Sequence, residues 1–277
     1  MRVIAHLSDL HFGRHDAAVA EALIASLKAE RPDLIVISGD FTQRARHRQF
    51  VAAAAFLRHL PAPVLAVPGN HDVPLYNVAR RILDPLGRYR RYISSELQPL
   101  FEDDELAVLG LNTARASEIV NGRLSYSQAD VIHAAFAHKS LKQMRIVVLH
   151  HALMPPPGHP DHATLRRAGM ALEAMAAAEV HLVLAGHHHR SYSGDLALDH
   201  QALGRSILVC HAGTAISSRR RAEPNAYNLL RIDGGRLAIE LRNFHGNRFI
   251  PGETAEYALT DRQLVRTVTE YRENPTA

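Results

Sequence analysis

The sequence predicts a layered α/β fold built around a mixed β-sheet. Short apolar runs rich in Val, Ile and Leu alternate with segments of helical periodicity, which favours helices packed against a sheet. Each run ends in a polar cluster, as is typical of buried strands. Near the end of the chain, the stretch YNLLRID-GG-RLAIELRNF predicts a hairpin across Gly234 and Gly235, so the late strands are expected to be antiparallel.

The elements follow one another in a regular series. Seven apolar runs predict strands at Val3–Leu7, Leu34–Ile37, Val64–Val67, Ala107–Leu111, Ile146–Leu149, Leu182–Ala185 and Ile207–Val209. Four periodic segments predict helices at Ala17–Glu30, Arg48–Leu60, Ser127–Leu141 and Leu165–Glu179. No internal repeat interrupts the series, and 277 residues are compatible with one domain or with two.

The composition is that of an ordinary soluble globular protein, with 47% apolar and 22% charged residues. The formal net charge of +4 suits an anionic ligand but is too small to establish nucleic-acid binding. One cysteine, Cys210, excludes an intramolecular disulfide, and no secretory leader is expected, which together favour a cytoplasmic protein. No stretch approaches the roughly 20 apolar residues that span a bilayer, so no membrane partner is expected.

Polar side chains with metal-binding chemistry follow five of the seven predicted strands. The blocks are Asp9-Leu10-His11, Gly39-Asp40, Gly69-Asn70-His71-Asp72, His150-His151 and Gly186-His187-His188-His189. Taken singly, each has an ordinary structural explanation, such as an Asp that caps a helix or a hydrogen-bonded core His. Because ligand sites in α/β sheets gather beyond the carboxyl ends of the strands, their recurrence favours one shared site.

Seven of these side chains form a candidate ligand set of four imidazoles, two carboxylates and one amide: Asp9, His11, Asp40, Asn70, His150, His187 and His189. Mixed nitrogen and oxygen ligands without thiolate suit Mn, Fe, Zn or Co. Seven ligands are too many for one tetrahedral ion but suffice for two ions that share a carboxylate. Two metal ions about 3.5–4 Å apart form a common clamp for in-line displacement at phosphorus.

The same blocks resemble the signature of the calcineurin-like metallophosphoesterases, which reads D-x-H, G-D, G-N-H-D, a strand-end H and G-H-x-H. All five occur in order between residues 9 and 189. The stretches LNTARASEIVNGRLSYSQ and CHAGT further resemble the bacterial class III cyclic-nucleotide and glycerophosphodiester phosphodiesterases. That branch often has Pro after the paired histidines, where this sequence has Ala152.

The resemblance implies a layered sandwich of mixed β-sheets flanked by helices, with the metal site at the C-terminal ends of the strands. It implies one domain over residues 1–277 and two divalent or trivalent metal ions per chain. The seven ligands would be divided as Asp9, His11 and His189 for the first ion, Asn70, His150 and His187 for the second, and Asp40 for both.

The resemblance also implies two catalytic residues: His71 would contact the substrate phosphate, and Asp72 would orient the His71 ring. The expected substrate contacts are Asn70, His71, Asn112, Arg44 and His211. Arg44 could equally belong to a solvated helix face. The run Arg219-Arg220-Arg221 could recruit phosphate, line an oligomer surface or form an exposed loop.

The expected function is hydrolysis of a small phosphodiester, of the cyclic-nucleotide or glycerophosphodiester type, by metal-activated hydroxide. A metal-dependent nuclease is the first alternative, but the small net charge and the absence of Trp offer no extended basic surface or stacking platform. The second alternative, a non-catalytic scaffold on the same fold, would be expected to lack some of the ligands.

Three smaller features complete the expectations. His187 and His189 are expected to face the same side, while His188 points away as a structural or solvent-facing residue. The loop HALMPPPGHPDH is a candidate wall of the pocket. Residues 255–277 are expected to form a docking or dimerisation tail, either a docking helix or a contact within a homo-oligomer.

Overall fold

A computed structural model describes residues 1–137, 140, 143–159, 161–162, 164–196, 204–220 and 223–267. Within these ranges the chain forms two β-sheets that pack face to face, with helices on both outer faces. The observed architecture is therefore the predicted sandwich of mixed sheets flanked by helices.

Strands and helices alternate through the first two thirds of the chain, and the described elements from Leu208 onward are strands. The strands within the described ranges are β1 (Arg2–Leu7), β2 (Leu34–Ile37), β3 (Val64–Ala66), β4 (Leu100–Glu102), β5 (Leu106–Gly110), β6 (Met144–Val148), β7 (Leu182–Ala185), β8 (Tyr192–Asp195), β9 (Leu208–His211), β10 (Ala226–Asp233), β11 (Arg236–His245), β12 (Arg248–Thr260) and β13 (Gln263–Thr267). The helices are α1 (Ala17–Glu30), α2 (His47–Leu57), α3 (Val78–Leu83), α4 (Gly87–Tyr92), α5 (Tyr126–Phe136) and α6 (Ala168–Ala177). A single 3₁₀ turn covers Asn70–Asp72.

Both sheets combine parallel and antiparallel pairs. The first sheet has the order β13-β12-β11-β10-β1-β2-β3, in which only β1, β2 and β3 are parallel neighbours. The second has the order β4-β5-β6-β7-β9-β8, with parallel strands in the centre and antiparallel strands at both edges. The parallel parts of the two sheets carry the five polar blocks at their strand ends.

The strands are apolar on both sides because each sheet is covered on both faces. Ile4 and Val36 from the first sheet meet Ile146 and Leu184 from the second in the central core. Neighbouring residues along each strand point outward, where α1 and α2 cover the first sheet and α5 and α6 cover the second. A continuous apolar run was therefore the correct signal for these strands.

The ends of α1 could be predicted from the sequence because both ends are capped. The Asp16 carboxylate accepts hydrogen bonds from the Ala18 and Val19 amides, and the helix ends at Arg31 in the left-handed conformation. Between the caps, Leu23 and Leu27 lie one turn apart and are completely buried. The other three predicted helices are also present, although α6 begins three residues later than expected. The predicted C-terminal part of α5 includes positions outside the described residues.

Some elements were missed because they carry little periodic signal. Helix α3 buries none of its residues, and β4 has only three residues. The long strand β12 contains Pro251 and Gly252, and its pairing with β11 shifts register between Glu240 and Arg242. Proline and glycine at a register shift are tolerated in a sheet but resemble a loop in the sequence.

The expected tail over residues 255–277 is partly a component of the first sheet. β12 and β13 pair in antiparallel fashion with Leu259 opposite Leu264. Residues 263–267 therefore form an edge strand, which corrects the docking-helix expectation there, and residues 268–277 lie outside the described ranges. A dimer contact at this edge stays a prediction. None of the helices in the described part of the chain has the length and apolar character needed to cross a bilayer.

Candidate metal centre

The predicted ligands come from the carboxyl ends of β1, β2, β3, β6 and β7, which meet at one edge of the sandwich. Five of them have left-handed backbones, with positive φ at Asp9, His11, Asp40, His187 and His189. Such conformations are uncommon for residues other than Gly and gather at functional sites. The paired ligands therefore share a side because the backbone turns sharply at each of them.

Close packing of the backbone supports these turns. Gly39 has a φ of +96°, and a Cβ built there would lie 2.6 Å from Nδ1 of the His150 ring. Only Gly fits both the conformation and the space. The sequence Gly39-Asp40 thus brings the Asp40 carboxylate and the His150 imidazole together from opposite sheets.

One group of donor atoms is formed by Asp9, His11 and His189. Nε2 of His11 lies 3.4 Å from Oδ1 of Asp9, and Nε2 of His189 lies 3.7 Å from the same oxygen. The two imidazole rings stack with their centroids 5.0 Å apart. These donor atoms face one another within 4.8 Å, close enough to share a cation.

A second group is formed by His150, His187 and Asn70. Nε2 of His150 lies 3.2 Å from Oδ1 of Asn70 and 3.3 Å from Nδ1 of His187. Nδ1 of His150 donates to the Ser38 carbonyl oxygen at 2.7 Å, which directs Nε2 toward Asn70 and His187. The three side chains therefore present one oxygen and two nitrogen donors.

The Asp40 carboxylate lies between the two groups. Its Oδ2 is 3.6 Å from Nε2 of His11 and 3.4 Å from Nε2 of His150. Its Oδ1 accepts the His71 backbone amide at 2.9 Å, which fixes the carboxylate plane. One oxygen is thus available to both groups at once.

The side chains behind the donors fix their orientation. Oδ2 of Asp9 accepts from the Ser8 hydroxyl and from the His187 amide, which leaves Oδ1 for the centre. Nδ1 of His189 lies 2.8 Å from the Thr214 hydroxyl. Supporting hydrogen bonds of this kind hold ligating histidines and carboxylates in metal sites.

The buried donors fit metal ions. Oδ1 of Asp9 and both ring nitrogens of His11 are buried and have no hydrogen-bond partner among the described residues. Buried polar atoms without partners are costly, so a ligand that satisfies them is expected. A centre of two carboxylates, four imidazoles and an amide around one shared oxygen is therefore compatible with two cations.

The charges of the site support this assignment. Burial would raise the pKa of Asp40, but the attraction of His150 and His71 holds it well below its usual range. Burial lowers the pKa of His187 to about 3 and that of His189 to about 4. At neutral pH the Asp40 carboxylate is ionised and the His187 and His189 imidazoles are neutral, which is the form that binds metal. Burial would lower the pKa of His150, but the attraction of Asp40 raises it to about 9, so a metal ion would have to displace its proton.

His71 stands beside the centre with one face toward a cavity. Its Nδ1 donates to the Gln43 carbonyl oxygen at 2.8 Å, and its Nε2 lies 2.8 Å from Nη1 of Arg219. The ring meets the His11 ring edge-on at 4.9 Å. His71 can therefore reach a ligand in the cavity through Nε2, as expected from the sequence.

Asp72 does not orient the His71 ring, contrary to the prediction. Its carboxylate accepts hydrogen bonds from the backbone amides of Gly69, Phe41 and Thr42, and from the Thr42 hydroxyl. Burial and the neighbouring Asp40 raise the pKa of Asp72 to about 7. The residue joins two ligand-bearing loops, while the Gln43 carbonyl holds the ring.

A cavity of about 360 Å³ opens above the centre. Its lining residues are Asp40, Asn70, His71, Val120, Asp161, His162, His187, His188, His189 and Arg219. A smaller cavity of about 100 Å³ lies on the other side of Asn70 and His71. The loop HALMPPPGHPDH does contribute a wall, through Asp161 and His162.

The other expected substrate contacts differ in whether they line a cavity. Arg44 lines the smaller cavity, and its Nη1 lies 3.0 Å from Nδ1 of His71. Asn112 does not line either cavity, because its side-chain oxygen accepts the Ala114 amide within a turn. His211 is buried behind the wall, with its ring stacked 4.1 Å from that of Tyr192.

His188 is neither solvent-facing nor turned away from the cavity. Its Nδ1 lies 3.1 Å from the Tyr192 hydroxyl, and its ring stacks on that of His211 at 5.8 Å. Because the backbone turns sharply on both sides of it, His188 joins the cavity wall beside the two ligand candidates. It is a buried wall residue with no donor atom in the ligand groups.

Two further residues lie at the site: His151, which was predicted only as part of the His150-His151 block, and Arg219, for which phosphate recruitment was one of three possibilities. His151 is buried beside His150 and His187, and its Nε2 has no partner among the described residues. Its place next to His150 in the sequence was the signal. Arg219 and Arg220 are both exposed, but of the two Arg219 lines the cavity, and Arg221 lies outside the described residues.

Comparison with known proteins agrees with the fold and the site. The model of the family described as calcineurin-like phosphoesterase matches residues 2–191. A probable cyclic nucleotide phosphodiesterase of Synechococcus is 26% identical over 203 residues, which cover 68% of this chain and 74% of that protein. The glycerophosphodiester phosphodiesterase GpdQ of Enterobacter lignolyticus is 36% identical over 81 residues, 25% of this chain and 29% of that protein.

Solved structures share the architecture. A dimetal phosphatase from Danio rerio superposes with a TM-score of 0.66 at 13% identity, over 90% of this chain and 98% of that one. The purple acid phosphatase PPD1 of yellow lupin gives a TM-score of 0.66 at 12% identity, over 91% of this chain and 53% of that one. Since the family model covers most of the chain and all five ligand blocks, the protein belongs to the calcineurin-like phosphoesterase family.

Proposed function

We propose that the protein is a phosphodiesterase that uses two metal ions to hydrolyse small phosphodiesters. The Asp40 carboxylate carries the proposal, because its Oδ2 lies between two groups of donor atoms beneath an open cavity. A carboxylate shared by two cations is the arrangement expected for a pair of ions acting on one phosphoryl group. The nitrogen and oxygen donors suit Mn, Fe, Zn or Co.

The ligands divide in the proposal as the family resemblance implies, and the distances support that division. Asp9, His11 and His189 would hold one ion, while Asn70, His150 and His187 would hold the other. When bound, the ions would supply Lewis-acid stabilisation of the phosphoryl oxygens and lower the pKa of an attacking water. The buried carboxylates balance this positive charge and keep the donors fixed during the reaction.

His71 is the proposed contact to the reacting phosphate. The Gln43 carbonyl fixes its ring, and its Nε2 faces the cavity beside Asp40. A proton taken up from solvent on Nε2 would pass to the leaving alkoxide as the P–O bond breaks. The products are a phosphomonoester and an alcohol, with the water oxygen incorporated into the monoester.

Small diesters are the proposed substrates for two reasons. The two curated relatives are named for cyclic-nucleotide and glycerophosphodiester hydrolysis. The larger and smaller cavities flank Asn70 and His71, which gives each of the two ester groups of a diester a separate pocket. A polymeric nucleic acid would need an extended basic groove, whereas the chain carries a net charge of only +4.

The proposal is tested by a substrate panel on protein reconstituted with Mn. The panel contains bis(p-nitrophenyl) phosphate, cyclic AMP, a glycerophosphodiester, p-nitrophenyl phosphate, and single- and double-stranded DNA and RNA. We expect turnover of small diesters to exceed that of the monoester and of nucleic acids. Preferred cleavage of DNA or RNA would replace the proposal with the nuclease alternative, and a metal-loaded protein inert on every ester would favour the scaffold.

A further inference from the structure

Arg219 lies at the cavity, on the loop that follows β9. Its Nη1 donates to Nε2 of His71 at 2.8 Å, the same nitrogen that faces the reacting position. His71 and Arg219 lie 148 residues apart in the chain, so the sequence alone does not predict this contact. The guanidinium therefore stands where an anion above the metal centre would be bound.

The loop that presents Arg219 is held at several points. The Arg219 amide donates to the Ser217 hydroxyl at 3.1 Å, and the Asn225 side chain donates to the Ser217 carbonyl at 2.9 Å. The Thr214 hydroxyl, which lies 2.8 Å from Nδ1 of His189, donates to the Arg219 carbonyl at 3.5 Å. The loop supporting a ligand candidate thus also places Arg219.

The guanidinium of Arg219 is not neutralised by a carboxylate. No ion pair joins it to an acidic side chain within the described part of the chain, and its acceptor is the neutral nitrogen of His71. Arg44 also contacts the His71 ring, with its Nη1 3.0 Å from Nδ1, but the same Nη1 donates to the Gln43 carbonyl. Arg81 likewise donates to three backbone carbonyls.

We propose that Arg219 binds a non-bridging oxygen of the substrate phosphoryl group, exchanging Nε2 of His71 for the anion. A guanidinium makes strong, directional, charge-assisted hydrogen bonds to phosphate oxygens and remains charged throughout. The exchange also leaves Nε2 of His71 facing the ester. This role rests on the proposed function, because it places the phosphoryl group at the metal centre.

The direct test measures the binding of inorganic phosphate to Mn-loaded protein by isothermal titration calorimetry. In Arg219→Gln we expect the dissociation constant for phosphate to rise about 10- to 100-fold. This is the change expected when one hydrogen bond to a charged group is lost. Arg219→Lys should recover part of this loss because it restores the charge without the planar fork. Arg220→Gln changes a neighbour that is equally exposed but does not line the cavity, and it should stay within about twofold of the wild type.

Steady-state kinetics with bis(p-nitrophenyl) phosphate give a second readout. We expect Arg219→Gln to raise KM more than it lowers kcat, with two Mn ions retained per chain. Phosphate binding that stays within about twofold of the wild type in Arg219→Gln would overturn the role. So would loss of the metal or of the folded state in both Arg219→Gln and Arg219→Lys, because the residue would then be structural.

The two proposals fail in different ways. If phosphate binding depends on Arg219 but the wild type hydrolyses no ester, the anion site stands and the phosphodiesterase proposal falls. If the wild type hydrolyses diesters while Arg219→Gln binds phosphate normally, the catalytic proposal stands and the role of Arg219 is wrong.

Discussion

The two sides of the metal centre differ in their exposure to the cavity. On one side, Asp9 and His11 are completely buried, and His189, which is 5% exposed, is the member that lines the cavity. On the other, His150 is completely buried, while Asn70 and His187 are half-buried and line the cavity. We call the first the buried side and the second the open side.

Because the two sides differ in exposure, we expect them to have different roles. Donors enclosed by protein lose a bound ion slowly, because solvent and chelators reach them poorly and their orientation is fixed. The Asp9 carboxylate, for example, is held by Ser8 and by the His187 backbone. The open side, with Asn70 and His71 beside it, is where an ester can approach. We therefore expect a tightly held ion and a more exchangeable one.

The largest effect is expected from Asp40→Asn, since Asp40 belongs to both sides. Removing its charge leaves two groups of donors without their shared anion, so at least one ion per chain should be lost. We expect kcat/KM for bis(p-nitrophenyl) phosphate to fall by about 10³-fold, corresponding to several kcal/mol of charge stabilisation. Metal content by mass spectrometry and a thermal melt accompany the assay. Two retained ions with activity within tenfold of the wild type would show that Asp40 is not shared.

A matched pair, His11→Ala and His187→Ala, separates the two sides. Both are expected to lose about 10²-fold or more in kcat/KM. His187→Ala should retain one ion that is released slowly to a chelator, whereas His11→Ala should retain only a rapidly released ion. Identical stoichiometry and release rates in the two variants would remove the distinction between the sides.

His188→Phe tests the residue between two ligand candidates. Phe preserves the ring that stacks on His211 but removes the hydrogen bond to the Tyr192 hydroxyl. A lost hydrogen bond of about 1 kcal/mol predicts a change in kcat/KM of at most about fivefold, with both ions retained. A loss as large as that of His187→Ala would instead make His188 a ligand.

The smallest effect on the centre is expected from His181, which lies at the opposite end of β7. Burial, with the neighbouring Arg205 and Arg145, lowers its pKa to about 4, and its Nδ1 accepts the Arg145 amide. Between pH 6.5 and 4 the unfolded chain binds a proton that the folded chain does not. The stabilisation is therefore complete above pH 6.5 and is lost as the pH falls toward 4.

This linkage predicts that His181 accounts for about 2 kcal/mol of unfolding free energy lost between pH 7 and pH 5. Urea unfolding of the wild type and of His181→Gln at both values measures it. The variant should show a smaller loss on acidification, while metal content at pH 7 and metal release stay unchanged. Equal acid sensitivity in both proteins would contradict the linkage.

The sequence predicted which candidate ligands lie together because each block is local. Gly39 and Asp40, or Gly186 and His187, lie next to one another and directly follow an apolar strand, so their position at a strand end can be read from the pattern. The helices with a buried face were predicted for the same reason. Helix α3 buries none of its residues, so its sequence has no hydrophobic periodicity from which a helix could be predicted.

The contacts around the ligands could not be predicted, because they depend on how distant segments meet. Asp72 is adjacent to His71 yet bonds to the loop after β2, and the ring is held by Gln43. Arg219 belongs to a basic run whose sequence is typical of an exposed loop. The residue types do not predict the sharp turns at His187 and His189. These turns place His188 in the wall of the cavity.

Timed release of metal from the fully loaded wild-type protein tests the central claim most directly. After addition of a chelator in excess, the account predicts two ions per chain released in two equal phases, with the first at least about tenfold faster. A single bound ion per chain, or two ions released at one common rate, would contradict a centre with a buried and an open side.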